Sequence, residues 1–545
     1  MESKPKRCRE KRLALLLLAA LLLLQLAALF RFGLLKQSYH IDEIYSYILS
    51  NSYDADRIPA DPTVQNRWLS GRELLKFTTV QPGERFAYGT VYRNNALDAH
   101  PPLFYYGLHT VCSLFPDTFS KWQGLGLNMT LFLLTQLALF GFSRRVFGGK
   151  SLWAVVPAAV YGGMAAALDA VIFIRMYMLM SLFTVLLAWQ HVRMWERPVR
   201  PLDLLLCFAL TFLGVYTQYY FGLFAFFLAA AFCLRLLTAK RWKPLLAYAL
   251  VMLAAVAAVF LVYPAGIGQV TGSTTNNVGN EVAGNLLNFS GWGHALVYMG
   301  TELLKGMLLG LFQGRWLALP LALLGLVLAV ALRRQGEREA VSARDGKLLL
   351  AAVLLLGCTF ALICHISGSF LYIRYLYSLL PLIALALVLA VKLVTDALGL
   401  NPRALALTVV ALGGLSTAML AYKGSCSQLY RGKYAVDQAN ADMCRGLPLV
   451  VVGNDQAYFT TGNFMLLKDC GPLYLTTPAV ASDLDEALRQ VDVSRGVLFL
   501  VLTDTQWSQG FDGDAVMQTL VDASQVLTGY EPSGSSDYSA FYRAS

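Results

Sequence analysis

The sequence predicts an all-α polytopic membrane protein with a small α/β domain at its C-terminal end. Three observations predict it. Of the 545 residues, 57% are hydrophobic and only 14% charged, against about 25% charged in a soluble globular domain. Long apolar runs recur from Leu13 to Tyr422, each near the ~20 residues that a helix needs to cross a bilayer. Beyond Lys423 the runs shorten to strand length and the charge changes sign. Residues 424–545 hold 14 acids and 7 bases, a net −7, so residues 1–423 carry +17 within the chain's formal +10. This profile excludes a soluble enzyme, a disordered tail protein and a secreted disulfide scaffold. Continuous runs in place of short alternating segments exclude a transmembrane β-barrel.

The first element is the run 13–34, preceded by the basic start Lys4-Pro-Lys-Arg-Cys-Arg-Glu-Lys-Arg12. The run outlasts a signal-peptide core and no small-x-small site closes it, so it reads as a retained span. Ten more spans follow near 122–143, 151–173, 178–194, 202–219, 220–236, 244–264, 316–332, 348–367, 376–395 and 403–422, about eleven in all. The short basic loops around Arg144, Arg197, Lys240, Arg334 and Lys392 then fall on the side of the basic start. The positive-inside rule makes that side the cytoplasm. The predicted location is a cell membrane crossed many times, with the N-terminus cytoplasmic and the tail extracytoplasmic. The positive charge therefore reads as topology, with no nucleic-acid partner.

Three segments are expected outside: a first loop of about 35–121 with juxtamembrane helices, a second loop of about 265–315, and the tail. The expected domains are 1–423 (transmembrane, catalytic) and 424–545 (extracytoplasmic α/β). In the tail, strands are predicted at 447–452, 473–477 and 497–502, with a helical stretch at 483–491. The nine cysteines show no metal-ligand spacing. If the tail is outside, a disulfide is open to it, with Cys444 and Cys470 as the candidate pair.

Ionisable groups at membrane depth are expensive, so their positions carry information. Just after the first span comes His40-Ile-Asp42-Glu43-Ile-Tyr-Ser-Tyr-Ile-Leu49. Ile41, Ile44, Tyr45, Ile48 and Leu49 follow helical spacing, which predicts an interfacial helix with Asp42, Glu43, Ser46 and Ser50 off its apolar face. An acidic pair that only caps this helix is the plain alternative. Asp98-Ala-His100-Pro-Pro-Leu-Phe-Tyr-Tyr106 reads as a helix start, since proline suits the first helical position. Asp169-Ala-Val-Ile-Phe-Ile-Arg175-Met-Tyr177 and Tyr372-Ile-Arg374-Tyr375 each place a permanent cation among aromatics at the outer boundary of a span. For Arg175, snorkelling to lipid headgroups is the plain alternative.

Together these pieces resemble the GT-C-type membrane glycosyltransferases, in particular the bacterial family-39-like group related to protein O-mannosyltransferases and lipid A aminoarabinose transferases. The resemblance rests on Asp42-Glu43, His100-Pro-Pro-Leu-Phe-Tyr-Tyr106, Arg175-Met-Tyr177 and Arg374-Tyr375 before Pro381, in that order. It covers about residues 10–400. It departs at Phe173, where many relatives have a glutamate two residues before the arginine; the nearest acid here is Asp169. The tail resembles nothing we can name.

The resemblance implies a GT-C-like fold and a glycosyltransferase, mannosyltransferase-like, of the cell envelope. The donor would be a polyprenyl-phosphate sugar. The acceptor would be a hydroxyl of a protein, a cell-wall polymer or a glycolipid. Asp42 is expected as base, with Glu43 orienting it or the acceptor. His100, Arg175, Tyr177, Arg374 and Tyr375 are expected to hold the donor phosphate and sugar. No cofactor or metal is assigned, although Asp42, Glu43 and His100 are ligand types. The tail is expected to cover the site or help select the acceptor. A transporter or lipid flippase is the competing class; it predicts broken helices near mid-membrane in two repeated halves, and no such repeat is evident. A ligand sensor anchored by the spans would need far fewer of them.

Overall fold

The computed structural model describes residues 4–53, 66–148, 151–271, 284–285, 288–332, 343–367, 371–453, 462–477, 484–503, 510–536 and 538–545. The polar stretch 272–280 and the basic segment 333–338 lie outside them. The chain forms two compact units. One comprises residues 1–35, 96–104 and 124–427, and the other 36–95, 105–123 and 428–545.

The first unit is a helical bundle. Across the described residues, eight helices are long and apolar enough to cross a membrane, and a bent pair makes a ninth. The protein is thus a multi-pass membrane protein. The bent pair is Leu152–Gly162 with Ala165–Ile172, set at 66°, where the sequence predicts one span. Pro201–Val215 and Arg315–Ala331 are apolar but shorter. The structure also adds a helix. Trp292–Gln313 is 22 residues long and apolar enough to cross, although the sequence-based reading places it in the second external loop. The reason is local: Glu302 and Lys305 split the apolar run, and they pair with each other at 2.6 Å one turn apart.

Close packing in the bundle uses small residues, as in membranes generally. The Pro402–Lys423 helix lies against Ser151–Gly162. A Cβ on Gly413 would sit 2.5 Å from the Ala159 carbonyl oxygen, so glycine is required there. Ser416 Oγ donates to the Gly163 carbonyl at 2.6 Å. The buried polar residues Gln25 and Gln136 are hydrogen-bonded to each other within the apolar interior. Gln136 donates to Gln25 at 2.8 Å, and both donate to the Ala158 carbonyl at 3.1 Å.

Four of the five basic loops that the sequence assigns to one side are joined by ion pairs. Arg145 pairs with Glu196 at 2.6 Å, and Arg344 bridges Glu196 and Asp345. Lys392 reaches Asp345 at 3.3 Å and Asp396 at 2.5 Å. Helix ends distant in sequence are thereby clamped by one ionic chain.

The second unit is built on a six-stranded sheet with strands β1 (Trp68–Leu69), β2 (Leu449–Val452), β3 (Leu473–Thr476), β4 (Val497–Leu502), β5 (Tyr530–Ser535) and β6 (Ser539–Ala544). The spatial order is β1-β3-β2-β4-β6-β5. β2 runs parallel to β3 and β4, and the other pairings are antiparallel. Every residue of β2, β3 and β4 is buried, as expected for central parallel strands covered on both faces. The short helix Leu484–Leu488 falls within the predicted helical stretch.

Three strands go beyond the sequence prediction. β1 comes from the first loop, so the sheet is not made by the tail alone. β5 contains Pro532 and Gly534 at a register shift, so its sequence reads as a turn; proline is tolerated because β5 is an edge. β6 pairs with β5 on one side and β4 on the other. Cys444 and Cys470 are buried thiols. The Cys470 thiol beside Cys444, together with burial, pushes the Cys444 thiol well above its ordinary range.

Candidate functional site

The second unit holds the helix Ile41–Asn51, whose first turn is fixed by a reciprocal cap. His40 Nδ1 accepts from the Asp42 backbone N–H at 3.1 Å, and Glu43 Oε2 accepts from the His40 N–H at 2.8 Å. Each satisfies a donor that a helix start otherwise leaves open. The two acids then part company, because neighbouring helical residues point in different directions. Glu43 turns inward. Its carboxylate meets Lys36 Nζ at 2.9 Å, with both side chains fully buried.

Lys36 Nζ also donates to the Gln428 carbonyl at 2.7 Å. It lies 5.1 Å from the Tyr430 ring centre and 5.4 Å from that of Tyr39, within cation–π range. Burial, and then the Glu43 charge, push the Tyr39 phenol well above its ordinary range. Asp42 keeps 24% of its side chain exposed, beside His40 at 28%. This helix is buried on nearly every side, Ser46 and Ser50 included. It therefore differs from the interfacial helix of the sequence reading, in which both carboxylates lie off the buried face.

In the first unit, several helix breaks converge. Helix Ala165–Ile172 ends, and helix Tyr177–Glu196 begins five residues later. The break is tied by Asn128, whose Nδ2 donates to the carbonyls of Val171 at 3.0 Å and Phe173 at 2.8 Å. Arg175 sits in this break and is only 4% exposed. Its Nη2 lies 3.3 Å from His100 Nε2, and His100 Nδ1 lies 2.9 Å from Asp98 Oδ2.

The Asp98 segment is held in turn by Gln269, which donates to its backbone carbonyl at 2.7 Å. The next helix start is held by the Leu103 N–H, which donates to the Tyr216 carbonyl at 3.3 Å. The 3-10 helix Ile373–Leu379 packs against both helices that flank the Arg175 break. It carries the half-buried Arg374, whose guanidinium carbon is 4.1 Å from the Tyr372 ring centre and 5.6 Å from that of Phe173. Phe173 stacks on Tyr177 at 6.0 Å, and Tyr375 meets Tyr220 edge-on at 5.1 Å.

Thus His100 and Arg175 are in direct contact, and Arg374, Tyr375 and Tyr177 are linked through aromatic rings. Asp42 and Glu43 share the other unit. Phe173 offers Arg374 a ring face. Asp169 accepts from the Ser427 N–H at 2.9 Å and from its hydroxyl at 2.6 Å, which anchors the chain after Lys423. Sequence reasoning missed Lys36, Gln269 and Tyr220. A lysine ending an apolar run reads as an interfacial anchor, and a lone glutamine carries no motif. Among the described residues, no group of three or more His, Cys, Asp or Glu side chains is arranged to hold a metal ion.

No family model matches the chain, and no curated protein matches it. Solved structures are similar at low identity. The crystal structure of ArnT from Cupriavidus metallidurans bound to undecaprenyl phosphate is 14% identical, covers 96% of this chain and 97% of its own, and has a TM-score of 0.39. The apo state of the same protein has a TM-score of 0.35, at 14% identity, over 88% of this chain and 95% of its own. The arabinofuranosyltransferase AftD from mycobacteria is 15% identical over 98% of this chain and 40% of its own, with a TM-score of 0.39. The likeness is long but loose.

Proposed function

We propose that the protein transfers a sugar from a polyprenyl-phosphate donor to an acceptor hydroxyl at the outer face of the membrane. One observation carries this reading: two guanidiniums, Arg175 and Arg374, stand with aromatic rings at converging helix breaks of an apolar bundle. Neither can lose its charge. A lipid phosphate is a leaving group whose charge grows as the glycosidic bond breaks, and fixed cations in a dry site stabilise that growth without reorganising. The bundle's apolar surface suits the prenyl chain. Tyr177 and Tyr375 supply hydroxyls for the sugar or phosphate.

The acceptor hydroxyl has a high pKa and needs a positioned base. Asp42 takes that role because its carboxylate reaches solvent, whereas Glu43 is buried against Lys36. Glu43 orients Asp42 by fixing the helix start that both residues share. One displacement inverts the anomeric carbon. The acceptor class is a hydroxyl of a protein, a cell-wall polymer or a glycolipid.

The donor reading is tested by binding of polyprenyl phosphate to purified protein. Arg374→Gln removes the charge that the phosphate would meet. A lost charged hydrogen bond of about 1.5–3 kcal/mol corresponds to a roughly 10- to 100-fold rise in dissociation constant. Native mass spectrometry across a lipid titration reads it directly. Unchanged affinity in both Arg374→Gln and Arg175→Gln would remove the phosphate from this site.

A further inference from the structure

We propose that Asp98 is a positioning residue: it fixes the tautomer of His100 and, through it, the aim of the Arg175 guanidinium. The inference rests on reading Arg175 as a cation for the donor phosphate. It starts from an asymmetry of donors. Arginine has five N–H donors and no acceptor. His100 Nε2, 3.3 Å from Arg175 Nη2, therefore presents a lone pair. The ring proton sits on Nδ1, which donates to Asp98 Oδ2 at 2.9 Å. A ring protonated on both nitrogens would set an N–H against an N–H.

Which imidazole nitrogen holds the proton is decided by the hydrogen bond made at the other. Asp98 supplies that decision here, much as a carboxylate orients the histidine of a hydrolytic triad. The chain around Asp98 is itself fixed. Gln269 Nε2 donates to the Asp98 carbonyl at 2.7 Å and to Tyr263 Oη at 3.1 Å, while its Oε1 accepts from Tyr219 Oη at 2.7 Å. Both ends of the amide are engaged, so it cannot turn over without losing partners.

The consequence concerns roles. With both ring nitrogens engaged, His100 offers no N–H to a phosphate. It holds one arm of Arg175, so that the guanidinium meets the anion already oriented and loses less side-chain freedom on binding. Asp98 touches neither substrate in this scheme and acts through His100.

The test is 15N-histidine spectroscopy on full-length protein in lipid nanodiscs, with the His100 signals assigned by their loss in His100→Gln. In wild type the signals should show Nδ1 protonated and Nε2 bare at neutral pH. Asp98→Ala should move the proton to Nε2, and Asp98→Glu should keep it on Nδ1. The KM for a polyprenyl-phosphate sugar should rise about 10-fold in Asp98→Ala with a smaller change in kcat, the scale of one lost hydrogen bond.

A wild-type ring protonated on Nε2 would overturn the inference, and so would an Asp98→Ala ring still protonated on Nδ1. The wild-type spectrum needs no variant to fold. If the tautomer follows Asp98 while polyprenyl-phosphate affinity stays unchanged in Asp98→Ala and Arg175→Gln alike, the donor reading of Arg175 falls, and the aiming role with it.

Discussion

Replacing Asp42 by asparagine is expected to lower turnover by about 10²- to 10⁴-fold, the usual contribution of a positioned general base. The substitution is nearly isosteric, and the cap that fixes this helix start uses the Asp42 backbone N–H, the His40 ring and the Glu43 carboxylate. None of these is altered. Donor binding should therefore stay close to wild type while kcat falls, which marks an interaction made in the transition state. The measurement is turnover at saturating donor, paired with polyprenyl-phosphate affinity. Equal turnover in both proteins would remove Asp42 from the mechanism.

The second large effect is on stability. Lys36→Met should destabilise the second unit by about 3–5 kcal/mol, because it leaves the Glu43 carboxylate buried without its cation. The Lys36 ammonium also serves the Gln428 carbonyl, so the loss reaches the segment that opens the tail. Glu43→Leu alone should cost a similar amount, since it strands the ammonium and removes one half of the cap.

The double variant Lys36→Met with Glu43→Leu should recover part of the loss, because removing both charges also removes their desolvation cost. Thermal midpoints of the four proteins in one detergent form the cycle. The expected order is wild type, then the double variant, then either single variant. A Lys36→Met protein as stable as wild type would show that the pair does not hold this region.

These two acids show how far the sequence could be read. Asp42 and Glu43 are adjacent and alike in sequence. Helical geometry turns them apart, and what waits on the inner side is Lys36, seven residues upstream of Glu43 at the end of an apolar run, with the Gln428 carbonyl nearly four hundred residues downstream. Periodicity reports a buried face but not which distant partner waits there. The same limit explains Gln269, whose role depends on a carbonyl at Asp98. It also explains β1, a two-residue strand that exists because β3 offers it an edge.

Features set by local physics were legible. Apolar runs became helices, and the short, mostly apolar runs of the tail became β2, β3 and β4. Arg175 and Arg374 fell at helix breaks, where a permanent cation can keep polar company. The helix Trp292–Gln313 was missed because two charges interrupted its run, although their mutual pairing lets the helix continue through them.

Transfer of sugar from a polyprenyl-phosphate donor by this protein can be followed on the lipid itself. The most direct measurement follows radiolabelled sugar on such a lipid, in membranes containing wild type or Asp42→Asn. Label should leave the lipid in the wild-type membranes, appear on an acceptor, and stay on the lipid with Asp42→Asn. Label that stays on the lipid in both, while the labelled lipid crosses the bilayer only when the protein is present, would contradict transfer and mark a flippase.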